Sequence, residues 1–312
     1  MRPSLLSPPV RMPLPVVPLP EALAVRLRCP VCGGALARQK AALACAGCGA
    51  RWPFEGAAVN LLPPSFRESP DPVWRGKQDE MESAGGDTSP ILHVRTRLSC
   101  QAYARLLRPW LRPGACVLDI GIAGAMIRLW LPRTVSYVGL DPSPHDLVWT
   151  LSPHFLRMGF ARRGVPFLRG VGEHIPFEGG TFDVAVCTSA IDHAQDPERL
   201  LREMARVLKP GGVALVGAPM EDLYEHRGRL SQIWKACVVA RDPLWVLYRA
   251  MEACRPGAPP AQAQEELPHP HPLDSGALKR MMTSVGFRPL KTGAVGSVFY
   301  VLAEPPKTTT SS

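Results

Sequence analysis

No stretch of the chain approaches the roughly 18 consecutive apolar residues that a membrane-spanning helix needs, which excludes a transmembrane reading of the sequence. The N-terminus, Met1-Arg-Pro-Ser-Leu-Leu-Ser-Pro-Pro, is apolar but interrupted by proline every few residues, a poor signal-peptide core. Blocks of one charge are also missing. The net charge is +9, yet no run of Lys and Arg exceeds a pair such as Arg162-Arg163. Such an excess fits an anionic partner, RNA or a membrane surface, or charge spread over a solvated face; the lack of basic blocks favours the last. A disulfide framework is lacking as well: the nine cysteines are an odd number, four lie in closely spaced pairs, and the rest sit in apolar contexts. That usage points to metal ligation and buried thiols in a reducing, cytoplasmic compartment.

What is present is the composition of a soluble globular protein, with 46% hydrophobic and 20% charged residues. A length of 312 residues accommodates one full α/β domain and something smaller. Much of the proline, 35 residues, falls at the ends and in two joints, where order is expected to be poor. Residues 1–22 form such a lead-in, 63–90 a linker between domains, and 305–312 a tail.

Between lead-in and linker, residues 23–62 carry Cys29-Pro-Val-Cys32-Gly-Gly and Leu43-Ala-Cys45-Ala-Gly-Cys48-Gly, two Cys-x-x-Cys knuckles with twelve residues between them. Cys29, Cys32, Cys45 and Cys48 supply four soft thiolates, and Gly33, Gly34, Gly47 and Gly49 free the backbone to fold around a tetrahedral ion. A segment this small lacks a core of its own, so the metal would drive its folding. The pattern predicts a structural zinc ribbon, with a closed ligand shell that leaves no position for substrate.

From residue 91 a helix is expected to Leu111, with Leu98, Tyr103, Leu106, Leu107 and Trp110 on one face and Arg95 and Arg97 able to reach an anion. Strands are expected near 116–120, 135–140, 166–169, 182–188 and 212–218, and helices near 124–131, 144–158 and 197–208. Ser143-Pro144 and Asp196-Pro197 supply N-caps with proline at the first helical position, and Leu200, Leu201, Met204, Val207 and Leu208 form a core stripe. Residues 219–272 read as a helical insertion after the fifth strand, rich in Trp234, Trp245 and Tyr248, before a closing helix at 275–285 and strands near 288–293 and 296–303. Alternation of this kind means a doubly wound, mostly parallel sheet with its ligand crevice at the carboxyl ends of the strands.

The crevice has a recognisable entrance. An apolar run ends in Asp119, a small-residue turn follows at Gly121-Ile-Ala123-Gly124-Ala125, and a second apolar run ends in Asp141-Pro142. The turn lets the backbone approach a ligand, and a carboxylate about 20 residues on accepts hydrogen bonds from ribose hydroxyls.

Val117-Leu-Asp-Ile-Gly121, Val138-Gly-Leu-Asp141, Gly172-Glu-His-Ile-Pro-Phe177 with Gly180-Thr-Phe-Asp183, and Asp196-Pro197 through Leu208-Lys-Pro-Gly-Gly212 together resemble the class I S-adenosylmethionine-dependent methyltransferases of the type 11 group over roughly residues 91–304. The resemblance implies a Rossmann-like, mostly parallel seven-stranded sheet and S-adenosyl-L-methionine as cofactor. It places Asp119, Gly121 and Gly124 at the methionine end, Asp141 and Pro142 at the ribose, Gly172 and Glu173 in the loop framing adenine, and Ser189 at the mouth between cofactor and substrate. His193 matches a histidine frequent in the family and is the first candidate base, with His174 second. Two departures stand out. Ala123 and Ala125 occupy positions where the family's turn carries glycine, and Val171 stands where an acidic residue is common.

Acceptor class is left open among three readings. The aromatic insertion suggests a lid over a small apolar or amphipathic acceptor, and its interleaved Arg and Lys residues would also suit peripheral contact with a membrane surface. Cys29-Pro-x-Cys32 with Val59-Asn-Leu-Leu-Pro63 resembles the zinc module of bacterial 23S rRNA guanine-N1 methyltransferases, which implies RNA docking. The ribbon is also similar to small Cys-x-x-Cys proteins that activate methyltransferases, and the altered turn would suit a non-catalytic cofactor-binding scaffold.

Overall fold

The computed structural model describes residues 10–13, 15–69, 71–72, 74–76, 90–122, 126–142, 148–151, 164–219, 271, 273–295 and 298–307. In chain order it contains β1 (Val10–Pro13), β2 (Val16–Val17), α1 (Glu21–Ala24), β3 (Leu36–Arg38), β4 (Ala42–Cys45), β5 (Arg51–Glu55), β6 (Ala58–Asn60), α2 (Pro64–Arg67) and α3 (Pro90–Leu107). There follow β7 (Cys116–Ile120), β8 (Ser136–Asp141), β9 (Val148–Leu151), β10 (Val165–Arg169), β11 (Phe182–Thr188), α4 (Pro197–Val207), β12 (Leu208–Pro219), α5 (Ser275–Ser284), β13 (Arg288–Val295) and β14 (Val298–Glu304).

The expected α/β sheet is present with strand order β13-β14-β12-β11-β7-β8-β10, but it does not stop at seven strands. It continues through β6-β5-β4-β3, with β2 also beside β10, to make twelve. The physical reason lies at the outer edge of β10, whose free N–H and C=O groups would otherwise invite association. Along its first half, Val165 and Pro166 pair in parallel with Val16 and Val17; along its second half, Leu168 and Arg169 pair with Val59 and Asn60. The cysteine ribbon therefore extends the main sheet instead of standing apart as a separate body.

Strand alternation divides the core into two layers. Leu118, Ile120, Val138, Leu140, Leu168 and Cys187 face α4, α5 and the ribbon residues Leu27, Cys29 and Trp52. Val117, Tyr137, Phe167, Val184 and Leu215 face Tyr103 and Leu107 of α3 on the other side. Both faces of the parallel strands are thus covered, as their near-continuous apolar sequences require. Helix α4 buries Leu200, Leu201, Met204 and Val207 and is capped by Asp196, whose Oδ1 accepts the Arg199 N–H at 2.8 Å.

Several local expectations are corrected. The described part of the lead-in carries regular structure: β1 pairs antiparallel with β9, and β2 pairs in parallel with β10. β9 itself lies where a helix over 144–158 was expected; the run Val148-Trp-Thr-Leu has the β-branched and aromatic character that suits a strand. The helix near 124–131 is a 3-10 turn over Met126–Leu129. β12 starts at Leu208, earlier than expected. Leu98 is exposed, off the buried face of α3. The linker is packed in its described part, with Leu62, Phe66 and Trp74 clustered on Val171. Ala123, Gly124, Ala125, Ser143-Pro144, the side chains of Arg95 and Arg97, and the insertion between Pro219 and His271 lie outside the described residues. Among the described residues no helix is long and apolar enough to cross a membrane.

Candidate functional site

The chain passes from β7 outward to β8 and β10, then returns to the other side of β7 as β11. That reversal opens a crevice at the carboxyl ends of β7 and β11, the usual ligand position in such sheets. Asp119, Gly121, Asp141, Ser189 and His193 all lie at this end, on or just beyond β7, β8 and β11.

Gly121 leaves β7 with φ +69, and a Cβ built on it would stand 2.2 Å from the Ala190 Cβ. Only glycine satisfies both conditions, and the Gly121 N–H is fixed by the Leu140 carbonyl at 2.9 Å. Across the crevice Ser189 has φ +55, the one left-handed non-glycine among the described residues. Strain of that kind concentrates at binding sites. The Ser189 N–H is held by the Gly217 carbonyl at 2.8 Å.

Asp119 is 5% exposed, and burial pushes its carboxyl up to about 7 despite a hydrogen bond from Tyr137. The Tyr137 hydroxyl donates to Asp119 Oδ2 at 2.7 Å and is itself held far above the usual phenol range by burial and the carboxylate beside it. The Arg128 guanidinium lies over the Tyr137 ring at 5.5 Å. Tyr137 is absent from the sequence-derived site, although the signal for it exists: β7 and β8 pair with Val117 opposite Tyr137 and Asp119 opposite Gly139, so equal parity puts Tyr137 and Asp119 on one face.

Asp141 is buried at the end of β8, and its backbone carbonyl accepts the Gly170 N–H at 2.9 Å. The Pro142 carbonyl accepts Arg169 Nε at 3.0 Å, and Arg169 also reaches Glu55 of the ribbon at 3.5 Å. After β10, Gly172 packs against α4: a Cβ there would stand 2.6 Å from Leu200 Cδ1. Glu173 is 3% exposed and turned to the protein, its Oε1 accepting the Gln195 N–H at 2.7 Å and the Asp196 N–H at 3.4 Å. Its burial raises the carboxyl pKa while these bonds oppose the shift. His174 is engaged by the ribbon, with Nδ1 at 2.8 Å from the Pro30 carbonyl and its ring edge-on to Phe66 at 5.5 Å. This replaces the expectation of a second base, and burial lowers the pKa of its ring.

His193 ends a 3-10 turn over Ile191–His193, with Nε2 3.7 Å from Asp192 Oδ2. Asp192 is 1% exposed and was not singled out in the sequence. The His271 N–H donates to the Asp192 carbonyl at 3.3 Å, and its Nε2 lies 3.2 Å from the Gln195 carbonyl. His271, near the end of the insertion, therefore lies at the rim of the same turn.

At the other end of the ribbon, the Sγ atoms of Cys29, Cys32, Cys45 and Cys48 all lie within 4.8 Å of one another. Cys29 and Cys48 are 3.7 Å apart and Cys32 and Cys45 3.4 Å. Metal–sulfur bonds of about 2.3 Å in a tetrahedron separate the sulfurs by about 3.8 Å, so the cluster fits such an ion. Gly34 lies against it, with room for a Cβ only 3.0 Å from Cys45 Sγ. The Cys48 backbone N–H, first among several donors, holds the Cys45 thiol down to about 6, while its partner Cys32 is pushed up by the thiols of Cys45 and Cys48.

Residues 118–216 match the family described as a methyltransferase domain. The chain is similar to an uncharacterized methyltransferase of Mycobacterium sp. (strain JLS), 34% identical over 104 residues that cover 33% of this chain and 38% of that one. It is also similar to 2-methyl-6-phytyl-1,4-hydroquinone methyltransferase 1 of Oryza sativa subsp. japonica, 32% identical over 124 residues, covering 39% and 36%. Each match thus spans little more than a third of the relative. A SAM-dependent methyltransferase structure from Aquifex aeolicus superposes with a TM-score of 0.43 at 17% identity, over 70% of this chain and 98% of that one.

Proposed function

We propose that the protein is an S-adenosylmethionine-dependent methyltransferase of a small apolar or amphipathic acceptor, with a structural zinc ion held by Cys29, Cys32, Cys45 and Cys48. The observation that carries this reading is the pair of buried carboxylates, Asp119 and Asp141, at the ends of adjacent parallel strands beside the close backbone turn at Gly121. Asp119, oriented by Tyr137, faces the cationic methionine end; Asp141, with Pro142 beside it, accepts from the ribose hydroxyls; the loop from Gly172 borders the base. The bound sulfonium supplies an already activated methyl group, so the protein's main task is placement of the acceptor. Where that acceptor must lose a proton, His193 at the crevice mouth receives it, and the neighbouring Asp192 carboxylate favours the imidazolium that results.

The aromatic sequence of the insertion, whose His271 lies at this rim, supports a lid over an apolar acceptor. A hydroquinone-type acceptor is consistent with the rice relative. The reading places the protein in the cytoplasm. Calorimetry with S-adenosylmethionine tests the cofactor, and labelled cofactor incubated with cell extract split into lipid, RNA and protein fractions tests the acceptor. Label in the lipid and small-molecule fraction is expected. Absence of binding at millimolar cofactor would sink the enzyme reading, and nuclease-sensitive label would move the acceptor to RNA.

A further inference from the structure

After a 3-10 turn over Gly172–His174, residues Ile175 to Glu178 run between two walls, and their backbone groups alternate between them. Towards α4, the Ile175 N–H donates to Glu203 Oε2 at 3.0 Å, and Arg206 donates to the carbonyls of Ile175 and Phe177 at 2.8 and 2.6 Å. Towards the first cysteine knuckle, the Pro176 carbonyl accepts the Arg28 N–H at 3.0 Å and the Glu178 N–H donates to the Arg26 carbonyl at 3.0 Å. The Arg28 and Glu178 side chains pair across the same seam. His174 adds a side-chain contact that reaches inside the knuckle, its Nδ1 lying 2.8 Å from the Pro30 carbonyl between Cys29 and Cys32 and also 3.3 Å from Arg199 Nη2 of α4.

One wall belongs to a helix of the main domain. The other is the small cysteine ribbon, whose turns an ion bound by the four thiolates would brace. The loop they share carries Glu173, whose buried carboxylate holds the Gln195 and Asp196 N–H groups and with them the entry to α4. We infer that the four-cysteine centre positions the cofactor crevice, with His174 as the positioning residue that transmits the knuckle's order to the loop; this rests on the crevice being the cofactor site proposed above. The ribbon is then part of the binding apparatus without touching the ligand.

The test uses the full zinc-loaded chain, its His174→Ala and His174→Asn variants, and wild type after chelation. Asparagine places an amide Nδ2 donor where histidine carries Nδ1. Zinc content, amide hydrogen exchange over 168–178 and 193–197, and cofactor affinity by calorimetry are measured on each. Expected for His174→Ala are unchanged zinc content, faster exchange in both segments and affinity weaker by about 5- to 10-fold, the worth of one buried hydrogen bond. His174→Asn should recover most of both effects, and chelation should exceed them. Unchanged exchange in zinc-replete His174→Ala would overturn the inference, even if the chelated chain simply unfolds. Failure of wild type to bind cofactor would instead remove the functional reading, while the exchange comparison still decides whether the knuckle holds the loop.

Discussion

The backbone of Gly121 lies so close to Ala190 that a methyl group on Gly121 would stand 2.2 Å from the Ala190 Cβ, across the point where the sheet's winding reverses. Gly121→Ala therefore meets both a steric clash and a penalty for φ +69. Together these should destabilise the protein by about 2–4 kcal/mol and abolish cofactor binding. Adding Ala190→Gly relieves the clash but not the backbone penalty. The double variant should recover part of the stability in thermal unfolding, and full recovery would show that φ at Gly121 is unimportant.

The Asp119 carboxyl, pushed up to about 7 by burial, gives the apoprotein a pH signature. Its folded pKa exceeds the unfolded value, so its favourable contribution is fully present below about pH 4 and is lost as pH rises through about 7. Asp119→Asn should thus raise the melting temperature at pH 8 more than at pH 5 in the absence of cofactor. Cofactor affinity moves the other way in wild type. A cation at the methionine end needs the carboxylate, so affinity should fall below about pH 7, and a flat profile in calorimetry would contradict the assignment.

Tyr137→Phe removes the hydroxyl that donates to Asp119 and leaves the carboxyl buried without it. A stability loss of about 1–3 kcal/mol is expected. Because that hydrogen bond lowers the Asp119 pKa, its removal should also move the midpoint of the affinity profile to higher pH. A stability loss with no movement of the midpoint would make Tyr137 a packing residue only.

Cysteine replacements separate ligands from core thiols. Cys48→Ser changes an exposed member of the cluster and should lower zinc content below one per chain, with loss of the ribbon's exchange protection. Cys187→Ser alters a fully buried thiol of the main core and should destabilise the protein while leaving zinc content unchanged. Elemental analysis distinguishes the two.

Much of this arrangement is legible in the sequence, for physical reasons specific to each part. The Cys-x-x-Cys spacing encodes the clustering of the four thiols, because two tight turns of this kind bring Cys29, Cys32, Cys45 and Cys48 together. The parallel core strands show themselves as apolar runs, and Asp196-Pro197 announces α4 through local capping chemistry. Less legible is whatever depends on two distant segments meeting. Glu173 carries a family signature, yet the structure assigns its Oε1 to the N–H groups of Gln195 and Asp196. His174 looks like a candidate base until Pro30, 144 residues earlier, is found beside it. Asp183 shares a motif with the site, yet it sits at the opposite end of β11, where its Oδ2 accepts the Cys116 N–H and binds Lys209. The ribbon's place in the sheet is illegible because β6 is only three residues long, too short to advertise its partner.

That pairing has a consequence for the order of synthesis. Val59 finds its partner in Leu168, about a hundred residues later in the chain. At about 5–20 residues per second, translation leaves the ribbon waiting roughly 5–20 seconds before β10 emerges from the ribosome. During that interval β6 is a bare edge, and Trp52, 2% exposed in the finished protein, lacks most of its cover. Metal captured early would hold the nascent ribbon as a template on which β10 docks, whereas a zinc-starved cell would carry an unfolded, apolar N-terminus through the same delay. Yield of soluble protein should therefore depend on zinc supplied during expression, not on zinc added after lysis.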